Sequence, residues 1–206
     1  MKTEECLAFL QEQIHTTVGA TNNEAGLPVT CAVDLMDRDE NGLYFLTAKG
    51  KNFYRRLTAT GYLSLTGMTG GHTMSSVAVS VCGKVREIGN GRLQHLLDKN
   101  PYMYELYPTA QSREALTVFC FYEGTGEWFD LSKKPIERFS FSFGGSSGET
   151  GGYFVDGTCT GCGKCFSACP QGCIVLNDRK AFILQEHCLR CGNCMNVCPG
   201  QSVRRK

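Results

Sequence analysis

No stretch of this 206-residue chain stays apolar for the roughly 20 residues that a membrane-crossing helix needs, so no membrane partner is expected. The N-terminus, Met1-Lys2-Thr3-Glu4-Glu5, is acidic where an export signal is basic, and no apolar segment follows it. Neither sign of charge dominates: 21 Lys and Arg stand against 20 Asp and Glu, which gives no general attraction to a polyanion and no expectation of a nucleic-acid partner. There is no strand-linked G-x-G-x-x-G and no P-loop, so a nicotinamide domain or nucleotide hydrolysis has no support. These absences together suit a cytoplasmic protein. What the chain does have is cysteine, 13 in all, nine of them after residue 158.

Eight of those nine form two copies of one pattern. Cys159, Cys162, Cys165 and Cys169 run as C-x-x-C-x-x-C-x-x-x-C with Pro170 following; Cys188, Cys191, Cys194 and Cys198 repeat it with Pro199 following. Three thiolates on a tight loop suit three corners of an iron-sulfur cube, while the fourth, carried on a helix that proline stops, points toward the other cube. The ligands are therefore expected to cross over. One [4Fe-4S] cluster is assigned to Cys159, Cys162, Cys165 and Cys198, and a second to Cys188, Cys191, Cys194 and Cys169. Zinc and disulfides are the rivals. Zinc ribbons need two C-x-x-C pairs but no third cysteine and no closing C-P, and disulfides would demand export. Cys173 is left over and reads as buried filler.

From about Tyr153 to Val203 the chain resembles the bacterial two-cluster ferredoxins, on the strength of Cys159-Thr160-Gly161-Cys162-Gly163-Lys164-Cys165, Cys169-Pro170-Gln171-Gly172 and the repeated Cys191-Gly192-Asn193-Cys194. Cys173-Ile174-Val175-Leu176, the polar break Asn177-Asp178-Arg179 and Ala181-Phe182-Ile183-Leu184 predict a small hairpin. A module of this size has little apolar core, so the clusters themselves would staple it. From Tyr153 onward seven Lys or Arg face three Asp or Glu, a formal +4, against −3 for the rest. Positive charge near a cluster stabilises its reduced form. Arg204, Arg205 and Lys206 read as a solvated tail.

Gly144-Gly145-Ser146-Ser147-Gly148-Glu149-Thr150-Gly151-Gly152 reads as a flexible linker spanning roughly 15 to 18 Å if disordered. The expected domains are therefore 1–143, a linker at 144–152, and 153–206. Upstream, Leu7, Leu10 and Ile14 predict an amphipathic helix over about Glu4 to His15. The period then changes to two, with strands expected near Thr17 to Ala20, Val29 to Leu35, Leu43 to Thr47, Tyr62 to Thr66, Ser76 to Glu87, Ala115 to Tyr122 and Glu127 to Leu131. Asp39-Glu40-Asn41-Gly42 and Glu123-Gly124-Thr125-Gly126 read as hairpin turns. Helices are expected over Asn52 to Ala59 and over Arg92 to Leu106, the latter broken at Asn100-Pro101. Many antiparallel strands with few helices predict a closed or nearly closed barrel.

The helix, the segments Pro28-Val29-Thr30 and Leu43-Tyr44-Phe45-Leu46-Thr47-Ala48-Lys49-Gly50-Lys51-Asn52, the helix ending at Leu57, Gly61-Tyr62-Leu63-Ser64-Leu65, and the Val-rich strand ending in Gly83-Lys84-Val85 together resemble the pyridoxamine-phosphate-oxidase-like split barrels that bind FMN. The resemblance covers about Met1 to Ser132. The whole is then mainly β, a split barrel followed by a small α+β two-cluster ferredoxin-like domain. The resemblance implies a homodimer with FMN at its interface and the flavin phosphate met by Thr47, Lys49 and Lys51, with Asn52 beside them. A hydroxyl, two ammonium groups and the N–H groups of a helix start are sensible partners for a dianion; the alternative is that both lysines are solvated turn residues. Trp128 or Phe129 would reach the partner's flavin, or Trp128 packs the core. His72 is either a proton donor beside the flavin or a solvent-facing loop histidine. Trp128 is followed by Phe129-Asp130-Leu131-Ser132-Lys133-Lys134 rather than the Arg- and His-rich signature that holds a B6 phosphate, which argues against vitamin B6 oxidation.

The leading expectation is an oxidoreductase in which two clusters exchange single electrons with FMN, and FMN exchanges pairs with a small-molecule substrate or a redox partner protein. A non-catalytic carrier or redox sensor, and a barrel holding haem or a deazaflavin, are the alternatives.

Overall fold

In the computed structural model, which describes residues 2–147 and 151–206, the chain divides into two compact units. The first takes in Met1–Thr69, Ala78–Glu127 and Phe141–Gly148, the second Gly70–Val77, Trp128–Ser140 and Glu149–Lys206. The cysteine-rich segment thus shares its unit with two stretches from the middle of the chain. Of the expected linker, 148–150 lie outside the described residues. Its start is anchored: Gly144 has φ +65°, a Cβ there would lie 1.9 Å from the carbonyl oxygen of Tyr122, and the Ser146 hydroxyl donates to Glu123 at 3.2 Å.

The large unit is built on an antiparallel sheet. Its strands are β1 (Thr16–Asn22), β2 (Pro28–Asp34), β3 (Asp37–Asp39), β4 (Gly42–Ala48), β5 (Tyr62–Thr69), β6 (Val77–Gly89) and β7 (Leu116–Asp130), ordered β2-β1-β5-β6-β7-β4-β3, with β8 (Glu137–Phe143) also on β7. Of the closed or nearly closed barrel expected, the sheet is not closed, since the hydrogen-bonded path ends at β2 and β3 without returning, as suits a split barrel. β3 has only three residues and is charged. Its Asp37, 3% exposed, is held through its carboxylate by Arg92 Nη2 at 3.1 Å, His95 Nε2 at 3.0 Å and Lys99 Nζ at 2.5 Å. Charged, short edges of this kind resist further strand pairing.

The expected turn at Glu123-Gly124-Thr125-Gly126 is also overturned, since β7 runs through it unbroken. Neither glycine has a positive φ. They are there for space: a Cβ on Gly124 would lie 2.6 Å from the Cys82 carbonyl oxygen, and one on Gly126 2.3 Å from the Phe141 ring. Glycine within a strand here marks close approach of a neighbour rather than a bend. β3 and β8 were not legible as strands.

Helices α1 (Thr3–Ala8), continued by a π-helical stretch Phe9–Ile14, α2 (Asn52–Thr60), α3 (Leu93–Lys99), α4 (Met103–Leu106) and α5 (Ala110–Arg113) complete this unit. The break at Asn100-Pro101 falls where expected, with the buried Asn100 amide donating to Leu96 and Met36 carbonyls at 2.8 and 3.0 Å. Phe45 and Phe119 face each other across β4 and β7 with rings 5.6 Å apart, both fully buried with Phe121. That pair, and a second cluster of Leu96, Leu97, Leu116 and Val118, supply the core.

In the cysteine-rich unit β9 (Tyr153–Val155) pairs with β12 (Val203–Arg205), and β10 (Ile174–Asn177) with β11 (Lys180–Ile183). Asp178 and Arg179, at φ +46° and +62°, close the expected hairpin as a tight turn with both central residues left-handed. Two short helices, α6 (Lys164–Ala168) and α7 (Asn193–Asn196), occupy matching places in the two repeats.

Candidate functional site

Each cysteine repeat begins as a loop whose backbone turns left-handed just before its helix, at Gly163 (φ +77°) and Gly192 (φ +83°). One cavity is lined by Cys159, Cys162, Cys165 and Cys198, another by Cys169, Cys188, Cys191 and Cys194 together with Cys173. The fold thus groups three cysteines of one copy with the fourth of the other. The thiols differ in how tightly they hold their protons. Burial pushes the Cys194 thiol up to about 11, and raises Cys165 too. For Cys169 and Cys198 burial is outweighed by hydrogen bonds from nearby backbone N–H groups, which hold both thiols below their ordinary range. Cys173 is buried with its Sγ 3.4 Å from Cys169 Sγ, and burial together with the neighbouring sulfur raises its thiol above the ordinary range. Among the described residues no three His, Cys, Asp or Glu side chains form a group that could hold a single metal ion.

The residues expected at a flavin lie at the end of β4 and the start of α2. Thr47 is buried, and its Oγ1 has no hydrogen-bond partner among the described residues. Lys49 and Lys51 are exposed. Lys51 precedes α2 in extended conformation without capping it by side chain, and the first turn of α2 carries no acidic residue. The helix start is therefore open to an anion. Asn52 accepts a hydrogen bond from Arg55. A cleft of about 630 Å³ runs between the β1–β2 turn and α2, lined by Asn22, Asn23, Val29, Asn52, Arg55 and Arg56 among others. Its size falls in the range of small-molecule sites. Arg55 and Arg56 escaped the sequence reading; their signal was their place one turn beyond Asn52. Arg56 Nε donates to the Thr21 hydroxyl at 2.7 Å, and burial pushes the Cys31 thiol up against the pull of Arg56 and Lys51. Trp128 belongs to the second unit, where it is 6% exposed. His72 is exposed in that unit too, its carbonyl accepting from Ser75 and Ser76 hydroxyls at 3.0 and 2.8 Å.

A family model described as Pyridoxamine 5'-phosphate oxidase matches residues 3–127, and one described as a 4Fe-4S dicluster domain matches 152–200. The chain belongs to the pyridoxamine 5'-phosphate oxidase family. It carries a 4Fe-4S ferredoxin-type domain behind the family's fold, a pairing that fits redox electron transfer. Solved structures resemble the first part. A NimC/NimA family protein from Clostridium acetobutylicum superimposes with TM-score 0.57 at 19% identity over 68% of this chain and 91% of its own. A protein from the same organism related to general stress protein 26 of B. subtilis, of the pyridoxinephosphate oxidase family, gives 0.53 at 16% over 68% and 90%. A heme binding protein from Mycobacterium smegmatis gives 0.53 at 12% over 67% of this chain and 57% of its own. At such identities the likeness is one of fold. No curated protein matches the chain. No helix among the described residues is long and apolar enough to cross a membrane.

Proposed function

We propose that this chain is an iron-sulfur flavoprotein oxidoreductase that passes electrons between two [4Fe-4S] clusters and FMN, and from there to or from a small substrate. The observation that carries the reading is the sorting of the eight repeat cysteines, four to each of two cavities, the second of which Cys173 also lines, on a chain whose other part belongs to a family with a flavin-binding fold. Cys159, Cys162, Cys165 and Cys198 hold one cluster; Cys169, Cys188, Cys191 and Cys194 hold the other. Lys49, Lys51 and the open start of α2 at Asn52 hold the flavin phosphate, with Arg55 supplying further positive charge and Thr47 a hydroxyl. Bound FMN supplies the exchange between one-electron and two-electron chemistry. Trp128 and a homodimeric assembly belong to the same reading, through the resemblance of the barrel.

Anaerobic purification followed by an absorption spectrum, flavin release and iron and sulfide counts tests it. The expected result is about eight iron and eight sulfide per chain with FMN released on denaturation. Zinc in place of iron would refute the cluster assignment, and a Soret band without flavin would give the fold haem instead.

A further inference from the structure

The cleft beside α2 reaches well past the helix start, where the flavin phosphate is proposed. Along one wall stand Asn52, Arg55, Arg56, Ala59 and Thr60, whose spacing of three and four puts them on one side of α2, while Phe53 and Leu57 of the same helix are buried. That side runs about 12 Å along the helix axis, and Arg56 lies about 6 Å beyond Asn52. The other wall is the β1–β2 turn, which is held in one shape from within. The Asn23 amide oxygen accepts from the N–H groups of Ala25 and Leu27, both at 3.0 Å, and the Asn23 N–H donates to the Leu27 carbonyl at 2.8 Å. A volume of about 630 Å³ between these walls suits an organic molecule rather than a single small oxyanion.

The charge in the cleft is lopsided. α2 carries no Asp or Glu, and among the described residues the exposed Glu24 is the one acid lining the cleft. Elsewhere in this unit Arg38 is ion-paired with Glu4 and Glu12, and Arg92 with Asp37 and Asp39. Among the described residues Arg55 and Arg56 pair with no carboxylate: Arg55 donates to the Asn52 side chain, and Arg56 Nε to the hydroxyl of the buried Thr21 at 2.7 Å. The half-buried Arg56 guanidinium also lies 5.9 Å from the centroid of the Phe53 ring. It is thus anchored through Nε, and its two terminal nitrogens have no hydrogen-bond partner among the described residues. A guanidinium held in this way presents a planar pair of donors that matches a carboxylate, and its partial withdrawal from water strengthens the contact. Ala25, Val29 and Ala59 add apolar surface for the body of such a ligand.

We propose that this cleft is the substrate site and that the small substrate is an organic carboxylate, its carboxylate held by Arg56 and its body lying along α2. The proposal rests on the flavin reading above, which puts the phosphate at the start of that helix. Its test is isothermal titration of the anaerobic full chain with benzoate and with its uncharged counterpart benzamide, after the flavin has been identified. A chain without flavin would refute the flavin reading and the proposal with it. FAD in place of FMN would seat an adenylate in the cleft and overturn the proposal alone. With FMN present, benzoate should bind about tenfold or more tighter than benzamide. Arg56→Gln should abolish that preference, and Arg56→Lys, which keeps the charge without the planar fork, should recover part of it. Equal binding of the two probes to the unaltered protein, or a preference unchanged in Arg56→Gln, would overturn the proposal. So would a folded Arg56→Gln chain that no longer takes up FMN, since Arg56 would then belong to the flavin phosphate. Should Arg56→Gln fail to fold, the comparison of the two probes on the unaltered protein decides.

Discussion

The two units are held together by different means. The sheet unit buries Phe45, Phe119 and Phe121 completely, and a second layer of leucines behind them. In the cysteine-rich unit one buried cluster comprises Tyr153, Cys165, Ile174, Ala181, Cys194 and Val203, of which two are proposed cluster ligands. It leaves Phe166, Leu176 and Phe182 exposed. Hydrocarbon sustains the first, whereas the second is expected to depend on the clusters proposed for its sulfurs. The contrast explains why one chain can carry a robust scaffold and a part whose folding reports its loading.

The strongest test of that contrast is to strip the clusters anaerobically with a chelator and oxidant. The cysteine-rich unit should lose hydrogen-exchange protection throughout, while β4 and β7 keep theirs. Retained protection at β10 and β11 would show a core sufficient without clusters. Conversely, Phe119→Ala should cost the sheet unit about 3 to 5 kcal/mol in denaturant unfolding and leave iron content unchanged. Lys51→Ala removes one charge-assisted contact, worth about 1.5 to 3 kcal/mol, so FMN affinity measured by fluorescence should fall about tenfold to a hundredfold. Unchanged affinity would move the phosphate elsewhere.

The smallest effect concerns Asp37. Burial pushes its carboxyl up, but the hydrogen bonds from Lys99, the Arg38 backbone and His95 and the charge of Lys99 outweigh this and hold it below the ordinary range. A carboxyl whose folded pKa is depressed adds stability above its unfolded pKa, and that stability is lost as pH falls through the folded value. The sheet unit should therefore weaken below about pH 4. Asp37→Asn should cost about 1 to 3 kcal/mol at neutral pH and flatten that acid limb.

How much of this was legible in the sequence varied with the range of the physics. The repeat spacing and the hairpin over 174–183 are local, and C-P after each run announces where each helix stops. β1, β2, β4, β5 and β6 showed their period of two. What failed was long-range: Gly124 and Gly126 looked like a turn because their neighbours, Cys82 and Phe141, are distant in sequence. β3 was hidden because its Asp37-Arg38-Asp39 reads as a loop until Arg92, just before α3, and Lys99, at its end, are brought to it. At the candidate flavin site, Thr47, Lys49, Lys51 and Asn52 came from the resemblance. Arg55 and Arg56 emerged only when the β1–β2 turn was seen opposite them.

The claim at the centre is that electrons pass between clusters and flavin within one molecule. Rapid mixing of the anaerobic protein with a low-potential one-electron donor tests it most directly. The account predicts cluster bleaching and flavin reduction linked in time at a rate independent of protein concentration. Clusters that reduce while the flavin stays oxidised on the timescale of turnover would contradict it, and would make the chain a carrier or sensor.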